Sequence, residues 1–135
     1  MKRILIVVLA CSAGVVPLSA KENPAVDFVK QVKPVLEDRC VECHNSETLL
    51  GDLNLETRAK AFRRRKGGPV IVPGEPEKSM LYLALKLPPK DPKAMPATSH
   101  RIHEDEVSIL RQWILEGAKW PDGKDGALTP THKKL

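Results

Sequence analysis

Aromatic side chains are scarce in this chain. Tyr, Phe and Trp make up 4% of its 135 residues, as two Phe, two Trp and one Tyr. A chain of this length folds as one domain around one modest core. A core so poor in large side chains would benefit from a bulky apolar group supplied from outside. Cysteine is scarce as well, with three in all, which excludes a scaffold stapled by several disulfides. No apolar run reaches the roughly 20 residues of a typical membrane span. There is no internal repeat, and no strand-rich or alternating β/α pattern.

What is present begins with a leader. Lys2 and Arg3 precede an apolar run from Ile4 to Val16, followed by Pro17 and the small residues Ser19 and Ala20. A basic start, a short apolar stretch and a small-residue end are the layout of a secretory signal, so residues 1–20 are expected to be a signal peptide cleaved after Ala20. A competing reading, lipid attachment at Leu9-Ala10-Cys11, leaves very little apolar run in front of the cysteine. Cleavage removes Lys2 and Arg3 and no acidic residue, so the net charge of +5 falls by two. The mature protein is then exported, periplasmic or beyond, and mildly basic. Its cysteines are Cys40 and Cys43 alone. An exported protein is also a poor candidate for binding nucleic acid, and a membrane tether is not expected.

Residues 21–121 read as one small, mostly helical domain with long loops, and residues 122–135 as a polar C-terminal tail expected to be mobile. Asn23-Pro24 has the form of a helix start. Phe28, Val32, Val35 and Leu36 recur at helical spacing. Pro34 interrupts them, predicting a kink or two short helices in register, with the cysteine pair at the end. Asn45 to Asn54 reads as loop. Thr57 to Gly68 reads as a short helix stopped by Gly67-Gly68, Pro69 to Gly74 as an extended stretch ending in a turn, and Pro76 to Leu87 as a short apolar helix. A loop carrying Pro88, Pro89, Pro92 and Pro96 follows. The last helix has the clearest pattern, with Val107, Leu110, Trp113 and Ile114 on one face and Gly117 as its stop.

The chemistry lies in RCVECHN, Arg39 to Asn45. Paired cysteines serve four purposes. A disulfide between residues three apart closes a tiny loop and constrains little of the unfolded chain. A structural zinc site wants four ligands in two close pairs, and only His100 and His103 are available as the second. A dithiol redox motif usually sits in a β/α pattern, which is absent. The fourth use, C-x-x-C-H as a c-type haem attachment site, employs every residue of the motif. Cys40 and Cys43 form thioethers to the two vinyl groups, and His44 is delivered under the iron as an axial ligand. Export fits, since haem c is attached outside the cytoplasm. One haem c per chain is expected.

The stretches DFVKQVKPVLEDRCVECH, GDLNLET, GGPVIVPGEPEKSMLYLAL, AMP and ILRQWILEGAKWP resemble the planctomycete-type cytochrome c domain, over Asp27 to Pro121. The resemblance implies an all-α fold of the class I cytochrome c type, a few helices wrapped round one covalent haem, whose first and last helices cross and so bring Phe28 to Trp113. Two departures are visible. Asn45 stands where the family often has Gly, and Ala97 follows Met95-Pro96 where a second Pro is common. Neither removes a haem ligand.

The sixth iron position separates an electron carrier from an open small-molecule site. Met80, Met95, His100 and His103 are the candidates. Met80 lies among apolar residues at helical spacing, the usual setting of a core Met. Met95 sits in a loop stiffened by Pro92 and Pro96, which lowers the entropy lost on fixing it, and both its position and the resemblance favour it. His100 reads as solvent-exposed, and His103 as the start of the last helix. His/Met ligation raises the potential relative to two nitrogen ligands. Leu53, Leu55, Ile71, Leu81, Leu85 and Ile102 are expected as walls of the pocket. The run Arg63 to Lys66 reads as a solvated helix face, with docking to an acidic redox partner and pairing with a haem propionate as the rival readings. The expected function is one-electron transfer between redox partner proteins, without enzymatic activity. The alternatives are a haem c enzyme or small-molecule sensor with an open or weakly ligated sixth position, a haem-free zinc or dithiol module, and an interaction module in which haem is a structural element. No distal acid-base pair is evident for peroxidase-like chemistry.

Overall fold

The first helix starts at Phe28, behind the N-cap Asp27, rather than at the expected Asn23-Pro24. In the computed structural model, which describes residues 24–131, Pro24 to Asp27 are non-helical. The expected signal peptide and Cys11 lie outside the described residues. Asp27 caps the helix by accepting from the Lys30 N–H at 3.0 Å. The first turns, Phe28–Val32, are π-helical, with the Lys33 N–H reaching the Phe28 carbonyl, and they run straight into α1, Lys33–Arg39. Pro34 accounts for this junction. In an α-helix its ring would collide with the carbonyl four residues back, and the wider π turn relieves that contact.

The remaining elements are short. A 3-10 turn spans Leu50–Asp52, and α2 spans Arg58–Ala61 behind the N-cap Thr57. A second 3-10 turn spans Pro76–Lys78, followed by α3, Met80–Lys86. The expected helix from Pro76 to Leu87 is thus broken at Ser79, which is fully buried. Its hydroxyl accepts from the Val72 N–H at 2.9 Å and donates to the Glu75 carbonyl at 3.0 Å. Those bonds hold Ser79 in an extended conformation that a continuous helix would forbid. Likewise α2 ends well short of Gly67, so Arg63 to Lys66 lie in loop and turn and not on a helix face.

α4, Glu104–Leu115, is the longest element. Val107, Leu110, Trp113 and Ile114 are all buried, as their spacing predicts. Gly117, at φ 96°, ends it. The Gly117 and Ala118 N–H groups return to the carbonyls of Ile114 and Trp113 at 3.0 and 2.9 Å, a cap that needs a left-handed residue at that point. The Phe28–Val32 turns pack on α4, with Phe28, Val32 and the apolar face of α4 in one buried cluster.

The aromatic residues are concentrated. Phe28 meets Trp113 at 5.8 Å between ring centres, and Trp120 at 4.9 Å. Trp120 also contacts Trp113 at 5.8 Å and the edge of Phe62 at 6.3 Å. Both indole N–H groups are satisfied, Trp113 by the Lys119 carbonyl at 2.9 Å and Trp120 by that of Gly126 at 2.8 Å. Every Phe and Trp of the chain therefore sits in one cluster, at the opposite end of the first helix from Cys40. Twelve residues of helix separate them by about 18 Å.

The C-terminal segment differs from the mobile tail expected. α5, Gly123–Gly126, forms a single turn, and Leu128 is buried at 3% exposure. The Leu128 N–H donates to the Glu56 carbonyl at 2.8 Å, and the Thr129 N–H to the Glu37 side chain at 3.0 Å. One apolar residue with fixed backbone partners is enough to dock a stretch whose composition is polar. Among the described residues there is no strand, and no helix is long and apolar enough to cross a membrane.

Candidate functional site

At Cys40 the first helix gives way to a tight turn. The N–H groups of Cys43 and His44 both donate to the Cys40 carbonyl, at 3.2 and 3.1 Å. Val41, inside the cysteine spacer, is fully buried and plugs the turn into the core. Asn45 then closes it. Its amide nitrogen donates to the carbonyls of Val41 and Glu42, both at 2.8 Å. Its amide oxygen accepts from the N–H groups of Glu47 and Thr48 at 2.8 and 2.9 Å. A glycine at this position has no side chain to make those four bonds, so the departure at Asn45 is a local staple of the motif.

The following turn carries backbone strain. Leu49 and Asp52 adopt left-handed conformations at φ 44° and 55°, with Gly51 between them at 64°. For residues other than Gly each such conformation costs about 1–3 kcal/mol. Arginines hold the turn in place. Arg63 donates to the Asp52 carbonyl at 2.9 Å and pairs with its carboxylate. Arg65 donates to the same carbonyl at 3.0 Å and to that of Gly51. The turn presents the Leu50 carbonyl to His44, whose Nδ1 lies 2.9 Å away. Only a protonated Nδ1 makes that bond, so Nε2 keeps its lone pair for a ligand. Burial holds the His44 pKa below its ordinary value, with the Arg65 charge acting in the same direction. The imidazole is neutral at neutral pH, as a metal ligand must be.

Cys40, Cys43 and His44 line a cleft of about 760 Å³ together with Leu85, Met95, Pro96 and His100. That volume lies within the range of small-ligand and cofactor sites. The two thiols are not bridged. Burial pushes the Cys40 thiol up to about 12, with Cys43 and Glu106 adding to the effect. Beside it Arg39 also lines the cleft, its guanidinium held by Glu106 at 3.3 Å and by Asp38 at 3.2 Å.

Met95 reaches this cleft on a tethered loop. Its N–H donates to the Ala84 carbonyl at 3.0 Å. Arg101 donates to the carbonyls of Pro96 and Leu87 at 3.0 and 3.4 Å. Of the four candidate sixth ligands the fold brings Met95 and His100 to the cleft. Met80 is 42% exposed and outside it, and His103 is exposed at the start of α4, where its N–H donates to Glu106 at 2.8 Å. Among the described residues no group of three or more His, Cys, Asp or Glu is arranged to hold an ion, so His100 and His103 do not complete a zinc site with the cysteines. Of the six expected wall residues, Leu85 alone lines the cleft. Leu55 and Ile71 are buried in the core, and Leu53, Leu81 and Ile102 pack against it. Proximity to a motif in sequence does not fix the face to which a side chain turns: the Leu81 N–H, for example, is tied to the Val70 carbonyl at 3.0 Å. The reading from sequence also missed Arg39 and Arg101. Each is one of many basic residues in the chain, and only tertiary contacts single it out.

The donor set fits a c-type haem: two unbridged thiols, a neutral imidazole with one anchored nitrogen, and a thioether share one cleft. No aromatic side chain lines that cleft, which leaves its apolar bulk to a guest. Residues 40–98 match a family model described as Planctomycete cytochrome C. The match is narrower than the resemblance over Asp27 to Pro121, and it contains both the cysteine motif and Met95. No curated protein and no solved structure matches the chain. That family implies covalently bound haem c and a role in electron transfer, and the match supports a planctomycete-type cytochrome c domain over residues 40–98.

Proposed function

We infer that this protein holds one haem c in the cleft and carries single electrons between redox partners outside the cytoplasm. The observation that carries this reading is the convergence of Cys40, Cys43, His44 and Met95 on one cleft. Cys40 and Cys43 would hold the haem covalently, through thioether bonds to its two vinyl groups. His44 would ligate the iron through Nε2, its ring oriented by the Leu50 carbonyl. Met95 would ligate it through its sulfur, on a loop restrained by Arg101 and the Ala84 carbonyl. When bound, the haem supplies reversible one-electron exchange at iron, and the protein supplies burial, ligation and surface. His100, at the rim of the same cleft, is the competing sixth ligand. A leader at residues 1–20 delivers the chain to the compartment where haem c is attached.

The test is the intact mass of protein matured in a haem-attaching host. Wild type is expected to retain one haem through acid-acetone extraction, and a Cys40→Ser/Cys43→Ser variant none. Unmodified wild-type mass, or haem lost on extraction, would contradict covalent attachment.

A further inference from the structure

The segment after α2 frames a second cavity, which shares no lining residue with the cleft. It measures about 370 Å³, at the small end of ligand-site volumes. Phe62, Val70 and Ile71 supply its apolar lining, and Arg63, Arg64 and Arg65 its charge, with no carboxylate among the lining residues. Phe62 is fixed from two sides, by the Arg58 guanidinium 5.7 Å from its ring centre and by Trp120. Arg63 and Arg65 are committed to the turn at Leu50–Asp52. Arg64 differs: it is exposed and makes no hydrogen bond or ion pair among the described residues.

An unspent guanidinium beside an apolar lining selects one chemistry. Its planar fork matches a carboxylate in two parallel hydrogen bonds. A neutral apolar molecule would leave the charge unused, and a bare inorganic anion would leave the lining uncovered. We propose that this cavity binds an organic carboxylate with a small apolar body, the carboxylate on Arg64 and the body against Phe62, Val70 and Ile71. Binding is also felt at the turn. A carboxylate at the rim competes for Arg63 and Arg65, whose bonds fix the Gly51 and Asp52 carbonyls, and the neighbouring Leu50 carbonyl orients His44. The site stands independently of the redox reading, and only its link to the axial ligand rests on it.

The experiment is a benzoate titration of the full chain, matured in a haem-attaching host and reduced, followed by NMR. Benzyl alcohol and sodium chloride at matched concentration serve as comparisons. Saturable shifts are expected at Phe62, Val70 and Ile71, with the Gly51 and Asp52 amides moving along the same curve. Arg64→Gln should weaken benzoate about fivefold, the upper range of an exposed charge pair, without changing the thermal midpoint. Arg64→Lys should restore part of the loss. A response that does not saturate, an equal response to benzyl alcohol or chloride, or unchanged affinity in Arg64→Gln would overturn the proposal. Intact mass on the same sample reports haem attachment, so failure of the redox reading and failure of this site show separately.

Discussion

Single side chains carry the two most exposed claims. The Met95 loop is held by the Met95 N–H and by Arg101 on the Pro96 carbonyl, so truncating the side chain leaves those bonds in place. Met95→Ala is expected to leave haem attached, to open the iron to carbon monoxide, and to lower the potential by on the order of 0.1 V, a modest part of the roughly 0.8 V that axial ligands span. An unchanged spectrum and potential would shift the assignment to His100. Asn45 makes its claim through stability. All four of its side-chain bonds go to backbone, two to the carbonyls of the cysteine spacer and two to the N–H groups of Glu47 and Thr48 just after the motif. Asn45→Ala should cost about 1–3 kcal/mol in chemical denaturation, the range for leaving buried polar groups unpaired. Cys40, Cys43 and His44 were legible because their spacing is itself the chemistry. Asn45 was visible in sequence only as a departure from the family. Its function as a staple depends on carbonyls that the fold brings to it.

Among the elements, the loop from Ser46 to Lys60 has its own pH dependence. The Lys60 ammonium, with the Ser46 hydroxyl and the Asn54 amide, holds the Glu56 carboxyl down at about 2. A depressed pKa stabilises the fold above the ordinary value of 4.5 and loses that contribution as pH falls towards 2. Wild type should therefore lose thermal stability across that window more steeply than Glu56→Gln, and parallel profiles would contradict the assignment. The docked C-terminal segment offers a steric test. A Cβ on Gly126 would lie 1.7 Å from the Pro121 carbonyl oxygen, which no rotamer relieves. Gly126→Ala should expose Leu128 and Trp120 and raise Trp fluorescence quenching by iodide. Helix α4 was legible from its apolar period, and the first helix from Phe28 to Leu36. The break at Ser79 and the early end of α2 were not, because each is set by hydrogen bonds to residues outside the element.

Over the whole molecule the aromatic cluster and the cleft lie at opposite ends of the first helix. One end is a finished core of Phe28, Phe62, Trp113 and Trp120. The other is lined by Leu85, Met95 and polar groups and has no aromatic bulk of its own. The scarcity of aromatics, read as room for a guest, has this spatial form: the few that exist are all used away from the cleft. The family was legible from motifs strung along the sequence. The walls of the cleft were not, since five of six leucine and isoleucine candidates turn into the core or pack against it. The central claim is a haem anchored by Cys40 and Cys43 and ligated by His44 and Met95. Its most direct test is the optical spectrum of the protein from a haem-attaching host, ferric and ferrous, with and without carbon monoxide. A low-spin haem with a weak far-red sulfur-to-iron band and no response to carbon monoxide is expected. A high-spin haem that takes up carbon monoxide readily would contradict it and make the cleft a small-molecule site.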